Sequence, residues 1–305
     1  MTDGSFENSQ GLKIFTQSWL PSDDPKAILL WAHGIHEHCS RFEHMYRVFT
    51  AAGIAVYTWD HVGHGRSGGK VHQFGKGLDG VVADGMQYAR LVRAKHPTTV
   101  PIVVGGVSFG GLVASLMSVE ATKAAEDLTF AALLLVAPAL DVPMTAILRV
   151  QAAIAGLLAR LVPNLRMVPA APLHKLSKCQ AALDAYKNDP MIKSLDVRAK
   201  VGYEILQGFK RFKKQWAEVK LPLLVLHGEL DIITDNKASA RFVDLAGSTD
   251  KKFVLLPDTY HLVLHEPDQD TVMGMMKDFI ISGTTGATPV EDAVPVGGQN
   301  SGARL

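Results

Sequence analysis

Pro101-Ile102-Val103-Val104-Gly105-Gly106-Val107-Ser108-Phe109-Gly110-Gly111-Leu112-Val113-Ala114-Ser115-Leu116-Met117 is the stretch that decides the architecture. Its first part is a short β-branched apolar run, the composition of a strand buried on both faces, and Leu112–Met117 opens a helix. Between them stands Gly106-x-Ser108-x-Gly110. A serine at such a strand-to-helix turn occupies strained backbone, and glycines two residues to either side let strand and helix approach without Cβ contacts. The start of the helix then directs N–H groups at a developing negative charge. Ser108 is therefore a candidate nucleophile; the competing reading is a glycine-rich turn with an incidental serine.

Outward from this turn the pattern repeats. Strand-like runs occur at Ala27–Trp31, Ile54–Trp59, Ile102–Val104, Leu133–Val136, Leu223–Leu226 and Phe253–Leu256. Helical patterns stand between them near Phe42–Ala52, Leu78–Lys95, Leu112–Ala125, Lys237–Leu245 and Asp270–Ile281. Apolar strands alternating with helices imply an α/β fold, a mostly parallel central sheet with helices on both faces. Lys13–Trp19, preceded by Asn8-Ser9-Gln10-Gly11, reads as part of an added antiparallel hairpin.

The alternation fails once. About 80 residues between Pro138 and Pro222 read as helices and loops with no convincing strand, too long for a plain connection, which implies an inserted helical cap. From Ala139 to Glu218 the chain carries 13 Lys and Arg against 6 Asp and Glu, so the cap is basic and the remainder mildly acidic. Pro143–Val162 is nearly apolar, yet Thr145, Arg149, Gly156 and Arg160 fall on one narrow arc at helical spacing. Each Arg at the centre of a spanning helix would cost about 2.5–3.5 kcal/mol, so this segment is expected to cover a pocket or lie on a surface rather than cross a membrane. Four segments follow: core 1–138, cap 139–221, core 222–282, and a flexible tail 283–305 rich in Gly, Thr, Pro and Ala.

The whole-chain balance of 31 basic and 30 acidic side chains offers no field for nucleic acid. The aromatic and basic run Phe209–Lys214 reads first as a solvated helix face, with attraction to anionic headgroups as a refinement. Cys39 and Cys179 form no framework, and two free thiols suit a reducing compartment. The first residues lack a basic region followed by an apolar run, so a cytoplasmic location is expected, with peripheral membrane or lipid-droplet association as an extension.

A serine needs a base, and the base a carboxylate. The acid should follow the first core strand after the cap; Asp231 stands at the end of Leu223–Leu226, with Glu229 and Asp235 as rivals. The base should follow the last strand; His261 does, with His265 as rival. The oxyanion donors expected are the backbone N–H groups of Phe109 and of Ile35, in the loop after Ala27–Trp31. The cluster His33, His36, Glu37, His38, Cys39 matches no helical metal motif, and Asp60-His61-Val62-Gly63-His64-Gly65 reads as a tight loop; no metal is assigned.

These motifs together resemble the monoacylglycerol lipase family of the α/β-hydrolase fold, over residues 10 to 282. The most specific pieces are His33-Gly34-x-x-Glu37-His38-x-x-Arg41-Phe42, Asp60-His61-Val62-Gly63-His64-Gly65-x-Ser67 and Tyr186-x-x-Asp189-Pro190, completed by the Ser108 turn and Tyr260-His261. The turn departs from the family's usual residues beside the serine, and the His261-to-His265 interval is one residue longer than the animal pattern. The resemblance implies a cap that closes an acyl tunnel and meets membranes. It also implies that Glu37, Arg41, Tyr186 and His265 bind the glycerol end of the substrate.

The expectation is a serine hydrolase of lipid esters, foremost monoacylglycerol, that requires no cofactor and no obligate protein partner. Lysophospholipase, carboxylesterase and acyltransferase activities share this chemistry. A non-catalytic binding protein and a metal-dependent hydrolase are the readings from other classes.

Overall fold

The computed structural model describes residues 1–124, 128–143, 146–168, 173–192 and 196–285. In chain order the elements are β1 (Thr2–Glu7), β2 (Lys13–Trp19), β3 (Ala27–Ala32), α1 (Glu43–Ala51), β4 (Ile54–Trp59), α2 (Leu78–Arg93), β5 (Ile102–Val107), α3 (Phe109–Ala124) and β6 (Ala132–Val136). Then come α4 (Ala146–Leu161), β7 (Arg166–Val168), α5 (Gln180–Asn188), β8 (Val197–Arg198), α6 (Ala199–Lys213), β9 (Leu223–Gly228), α7 (Asn236–Leu245), β10 (Lys251–Leu256) and α8 (Gln269–Thr285).

Eight strands form one sheet in the order β1-β2-β4-β3-β5-β6-β9-β10. The six from β4 to β10 are mutually parallel, while β2 pairs antiparallel with both β1 and β4. The fold is the mostly parallel α/β architecture expected, with the hairpin β1–β2 added at one edge.

Alternation along β3 shows how the sheet is sandwiched. Ile28, Leu30 and Ala32 face a core shared with α2, α3, α6 and α7, whereas Ala27, Leu29 and Trp31 face a second core closed by α1 and α8. Every residue of β3, β4, β5, β6 and β9 is buried, which explains their predominantly apolar composition. Each fully buried Leu or Ile contributes about 1.5–3 kcal/mol.

Two boundaries differ from expectation. Helix α3 begins at Phe109, three residues before Leu112, because Phe109-Gly110-Gly111 carries no apolar period and Gly is a poor helix former. Tertiary contact overrides that propensity: a Cβ on Gly110 would lie 2.1 Å from the Ala32 carbonyl oxygen, and one on Gly106 2.4 Å from that of Gly110. In the segment between β6 and β9, read as free of strands, β7 and β8 pair antiparallel. Three and two residues are too few for a period-2 pattern to register.

Helix α4 carries Arg149 and Arg160 at its surface, and large apolar residues stand there with them: Val150, Leu157 and Leu161 are each more than half exposed. Thr145, the first residue of the expected polar arc, lies outside the described residues, as does the tail beyond Thr285. Among the described residues no helix is long and apolar enough to cross a membrane. In α6, Phe209 and Phe212 are buried, Lys210 and Lys213 face outward, and Arg211 pairs with Asp79 of α2. Both cysteines are free.

Candidate active site

Parallel strands end on the same side of the sheet, so the loops after β3, β5, β9 and β10 converge there. The loop after β5 is a single residue: Ser108 stands between β5 and α3 with φ of 54°, the left-handed region that costs a non-glycine residue about 1–3 kcal/mol. Its N–H donates to the Val136 carbonyl at 3.1 Å and its own carbonyl accepts from Ala139 at 2.8 Å, which holds the strained turn in place.

The loop after β10 brings His261 to the serine, with Nε2 3.1 Å from Ser108 Oγ. The other ring nitrogen, Nδ1, lies 2.7 Å from Asp231 Oδ2 in the loop after β9. A carboxylate can only accept, so Nδ1 carries the proton and Nε2 is free to accept from the serine. Asp231 is anchored by the N–H groups of Ile233 and Thr234 at 2.7 and 3.1 Å on Oδ1, and by the Thr234 hydroxyl at 2.8 Å on Oδ2.

The electrostatics follow from that arrangement. Burial alone would raise the Asp231 pKa, but His261 and His227 beside it outweigh burial and hold the carboxyl far below its ordinary range. Burial alone would lower His261; the charge and hydrogen bond of Asp231, with a smaller contribution from Glu37, raise it above 6.5. The site thus contains an ionised acid and a base of increased strength.

The rivals have other work. Asp235 caps α7, accepting from Lys237 N–H at 2.9 Å, and Glu229 accepts from Asp258 N–H at 3.2 Å. His265 Nε2 lies 3.2 Å from the Arg41 carbonyl, and burial with Arg41 nearby lowers its pKa to about 3.

The loop after β3 passes directly over the serine: a Cβ on Gly34 would stand 3.3 Å from Ser108 Cβ and 2.6 Å from Glu37 Oε2. Ile35 and Phe109 line the same cavity as Ser108. Among the described residues neither N–H donates to a protein acceptor. Behind this loop two histidines lock each other. His33 Nδ1–H donates to the Gly34 carbonyl at 2.7 Å and His33 Nε2 accepts from His61 N–H at 3.0 Å. His61 Nε2–H returns to the His33 carbonyl at 3.0 Å. The imidazoles here are structural props for the loop. Among the described residues no group of three or more His, Cys, Asp or Glu is placed to hold a metal.

One cavity of about 370 Å³ includes Ser108 and His261. Leu148, Ala152 and Ala155 of α4 and Leu206 and Phe209 of α6 form apolar walls, and Glu37, Tyr186 and His265 stand on its polar side. Arg41 does not line the cavity. Its guanidinium sits behind, 3.3 Å from Glu37 Oε1, 3.5 Å from Asp189 Oδ2 and 4.6 Å from the centre of the Tyr186 ring. His38 Nε2 meets the same Asp189 oxygen at 2.8 Å. Asp189 therefore ties the end of α5 to the loop over the serine.

Sequence reasoning missed His227, Thr234 and Ser239, all buried beside Asp231. No periodicity or motif separates them from core residues, and Ser239 reaches the group only because α7 packs against β9. Asp189 was visible in the Tyr-x-x-Asp-Pro motif without a role.

Residues 23–268 match the Hydrolase_4 family model, described as serine aminopeptidase, S33. The chain is 32% identical to the monoacylglycerol lipase of Mycolicibacterium smegmatis, covering 92% of this chain and 97% of the relative. It is 29% identical to the human monoglyceride lipase over 85% of this chain and 82% of that one. A soluble variant of the Saccharomyces cerevisiae monoglyceride lipase, solved with a substrate analogue, superposes with a TM-score of 0.77 at 22% identity, covering 92% of this chain and 94% of that one. With the serine turn, the converging loops and the apolar cavity in one chain, these likenesses agree: the chain belongs to the monoacylglycerol lipase family of α/β-hydrolases, within the serine aminopeptidase S33 group.

Proposed function

We propose that this carboxylic ester hydrolase cleaves monoacylglycerol to a fatty acid and glycerol through an acyl-enzyme, with Ser108, His261 and Asp231 as its triad. The observation that carries this reading is a single cavity with a nucleophile–base pair 3.1 Å apart, apolar walls for a chain, and a polar side for an alcohol.

In this mechanism Ser108 Oγ attacks the ester carbonyl while His261 Nε2 takes its proton. The oxyanion is held by the N–H groups of Ile35 and Phe109, donors that make no demand on side-chain identity. Collapse expels glycerol, which receives the proton from His261. Water then repeats the sequence on the acyl-enzyme, with His261 again as base, and releases the fatty acid. Asp231 keeps the His261 proton on Nδ1 and stabilises the imidazolium. Glu37, Tyr186 and His265 receive the glycerol hydroxyls, and Arg41 acts through Glu37 and Tyr186.

We also assign residues 139–221 as the cap and the outer face of α4, with Val150, Ile154, Leu157 and Leu161, as a peripheral membrane contact. A soluble helix normally turns such residues inward, and Arg149 and Arg160 beside them suit a headgroup layer.

The test is hydrolysis of a long-chain 2-monoacylglycerol by the wild type and Ser108→Ala, beside a short-chain aryl ester. Turnover of the monoacylglycerol that collapses in Ser108→Ala supports both triad and substrate. Serine-dependent activity on the aryl ester alone removes monoacylglycerol as substrate, and serine-independent activity removes the triad.

A further inference from the structure

Asp231 is shared by two histidines. On the cavity side His261 Nδ1–H donates to Oδ2 at 2.7 Å; on the buried side His227 Nε2 meets the same oxygen at 3.1 Å. The carboxylate can only accept, so His227 carries its proton on Nε2, which leaves Nδ1 to accept from the Ser239 hydroxyl 2.9 Å away. The result is an unbroken line, Ser239 to His227 to Asp231 from one side and Ser108 to His261 to Asp231 from the other. His227 and Ser239 are both fully buried, and neither lines the cavity.

We propose that His227, set in its tautomer by Ser239, is a positioning residue for ester hydrolysis: it fixes the plane of the Asp231 carboxylate and disperses its charge. This rests on the triad reading above. The chemistry gives the assignment a direction. Oδ2 receives three donors, from His261, His227 and Thr234. Each donor added to a carboxylate stabilises its charge and weakens its pull on the imidazolium beside it. His227 therefore tempers how strongly Asp231 raises the basicity of His261. A carboxylate held on two sides also cannot rotate as His261 gains and loses its proton. The charged groups acting on His261 are Asp231 from the loop after β9 and Glu37 from the loop after β3; the hydroxyls of Ser108 and Thr234 beside its ring are neutral, and His227 reaches it only through Asp231.

The experiment compares wild type with His227→Leu, His227→Gln and Ser239→Ala in kcat, KM and the pH profile of kcat/KM, with Ser108→Ala as control. His227→Leu removes the donor; His227→Gln keeps an amide N–H near the position of Nε2. The expected result for His227→Leu is a kcat lowered about 10- to 100-fold, the range of one hydrogen bond to a charged group. KM stays within about twofold, and the acid limb moves up by about half a unit. His227→Gln returns kcat to within about threefold of wild type, with the limb unmoved. Ser239→Ala moves both quantities in the direction of His227→Leu. Wild-type kcat and an unmoved limb in folded His227→Leu overturn the proposal, as does a His227→Gln no better than His227→Leu. Should His227→Leu not fold, an unchanged kcat and limb in Ser239→Ala overturn it. Activity surviving in Ser108→Ala instead removes the triad reading itself, which separates the two failures.

Discussion

Glu37 and Arg41 stand four residues apart with Arg41 Nε donating to Glu37 Oε1 at 3.3 Å, both side chains almost wholly buried, yet only Glu37 reaches the cavity. The arginine is the counter-charge that permits a carboxylate beside the serine. Glu37 in turn accepts from Gly34 N–H at 3.2 Å, so the pair also shapes the loop that carries the Ile35 N–H. Arg41→Met leaves a buried carboxylate without its cation and is expected to cost about 3–5 kcal/mol of stability. Adding Glu37→Gln should recover a large part of it. Urea denaturation of the two single variants and the double variant checks this; additive losses would contradict the pairing.

The base should titrate above its ordinary value. Because Asp231 raises His261 above 6.5 and the neutral imidazole is the active form, kcat/KM is expected to fall as pH drops through a midpoint above 6.5. A midpoint below 6.5 in the substrate-limited regime would contradict the geometry.

Asp231→Asn should lower kcat by about 10⁴ while leaving the fold intact, because the amide no longer holds the His261 proton on Nδ1. In the same variant the acid limb should move down, since the charge that raised it is gone. Circular dichroism and steady-state rates on an aryl ester suffice for both.

Acid should unfold the protein earlier than its carboxylates alone require. Burial lowers the pKa of His61 to about 4 and of His36 and His265 to about 3, with His33 and His64 also well below 6.5. In the unfolded chain these groups take protons near 6.5, so their contribution is complete above that pH and is lost as pH falls from 6.5 towards 3. For His61 alone the span corresponds to roughly 3 kcal/mol. Urea midpoints measured between pH 7.5 and 4 should decline steadily; a flat profile down to pH 5 would contradict this.

The outer face of α4 gives a further prediction. Ile154→Asp with Leu157→Asp should reduce co-flotation with phospholipid vesicles by about tenfold or more, while rates on a soluble short-chain ester stay within about twofold. Equal flotation of wild type and variant would remove the membrane assignment.

Much of this fold is legible in the sequence because its central strands are buried on both faces. Ala27–Trp31 and Leu223–Leu226 could hardly be read otherwise, and their C-terminal ends located, in turn, the loop holding Ile35 and the position of Asp231. Signals failed where neighbours across space decide the outcome. The early start of α3 depends on Gly110 lying against Ala32. The β7–β8 ribbon is too short for any period. His227 and Ser239 look like ordinary core-facing residues until β9 and α7 are set side by side. The histidine cluster is the reverse case: its composition suggested ligands, and its backbone hydrogen bonds make His33 and His61 a brace between two loops.

Helix α4 has one side in the cavity wall, through Leu148, Ala152 and Ala155, and the other, through Val150, Leu157 and Leu161, at the surface. An α-helix with its side chains is about 10–12 Å across. Oily material on the outside of the molecule is therefore one helix thickness from the chamber that holds Ser108. A hydrocarbon tail entering there would exchange one greasy neighbourhood for another without a full journey through water, so delivery and confinement of the chain become two sides of one element.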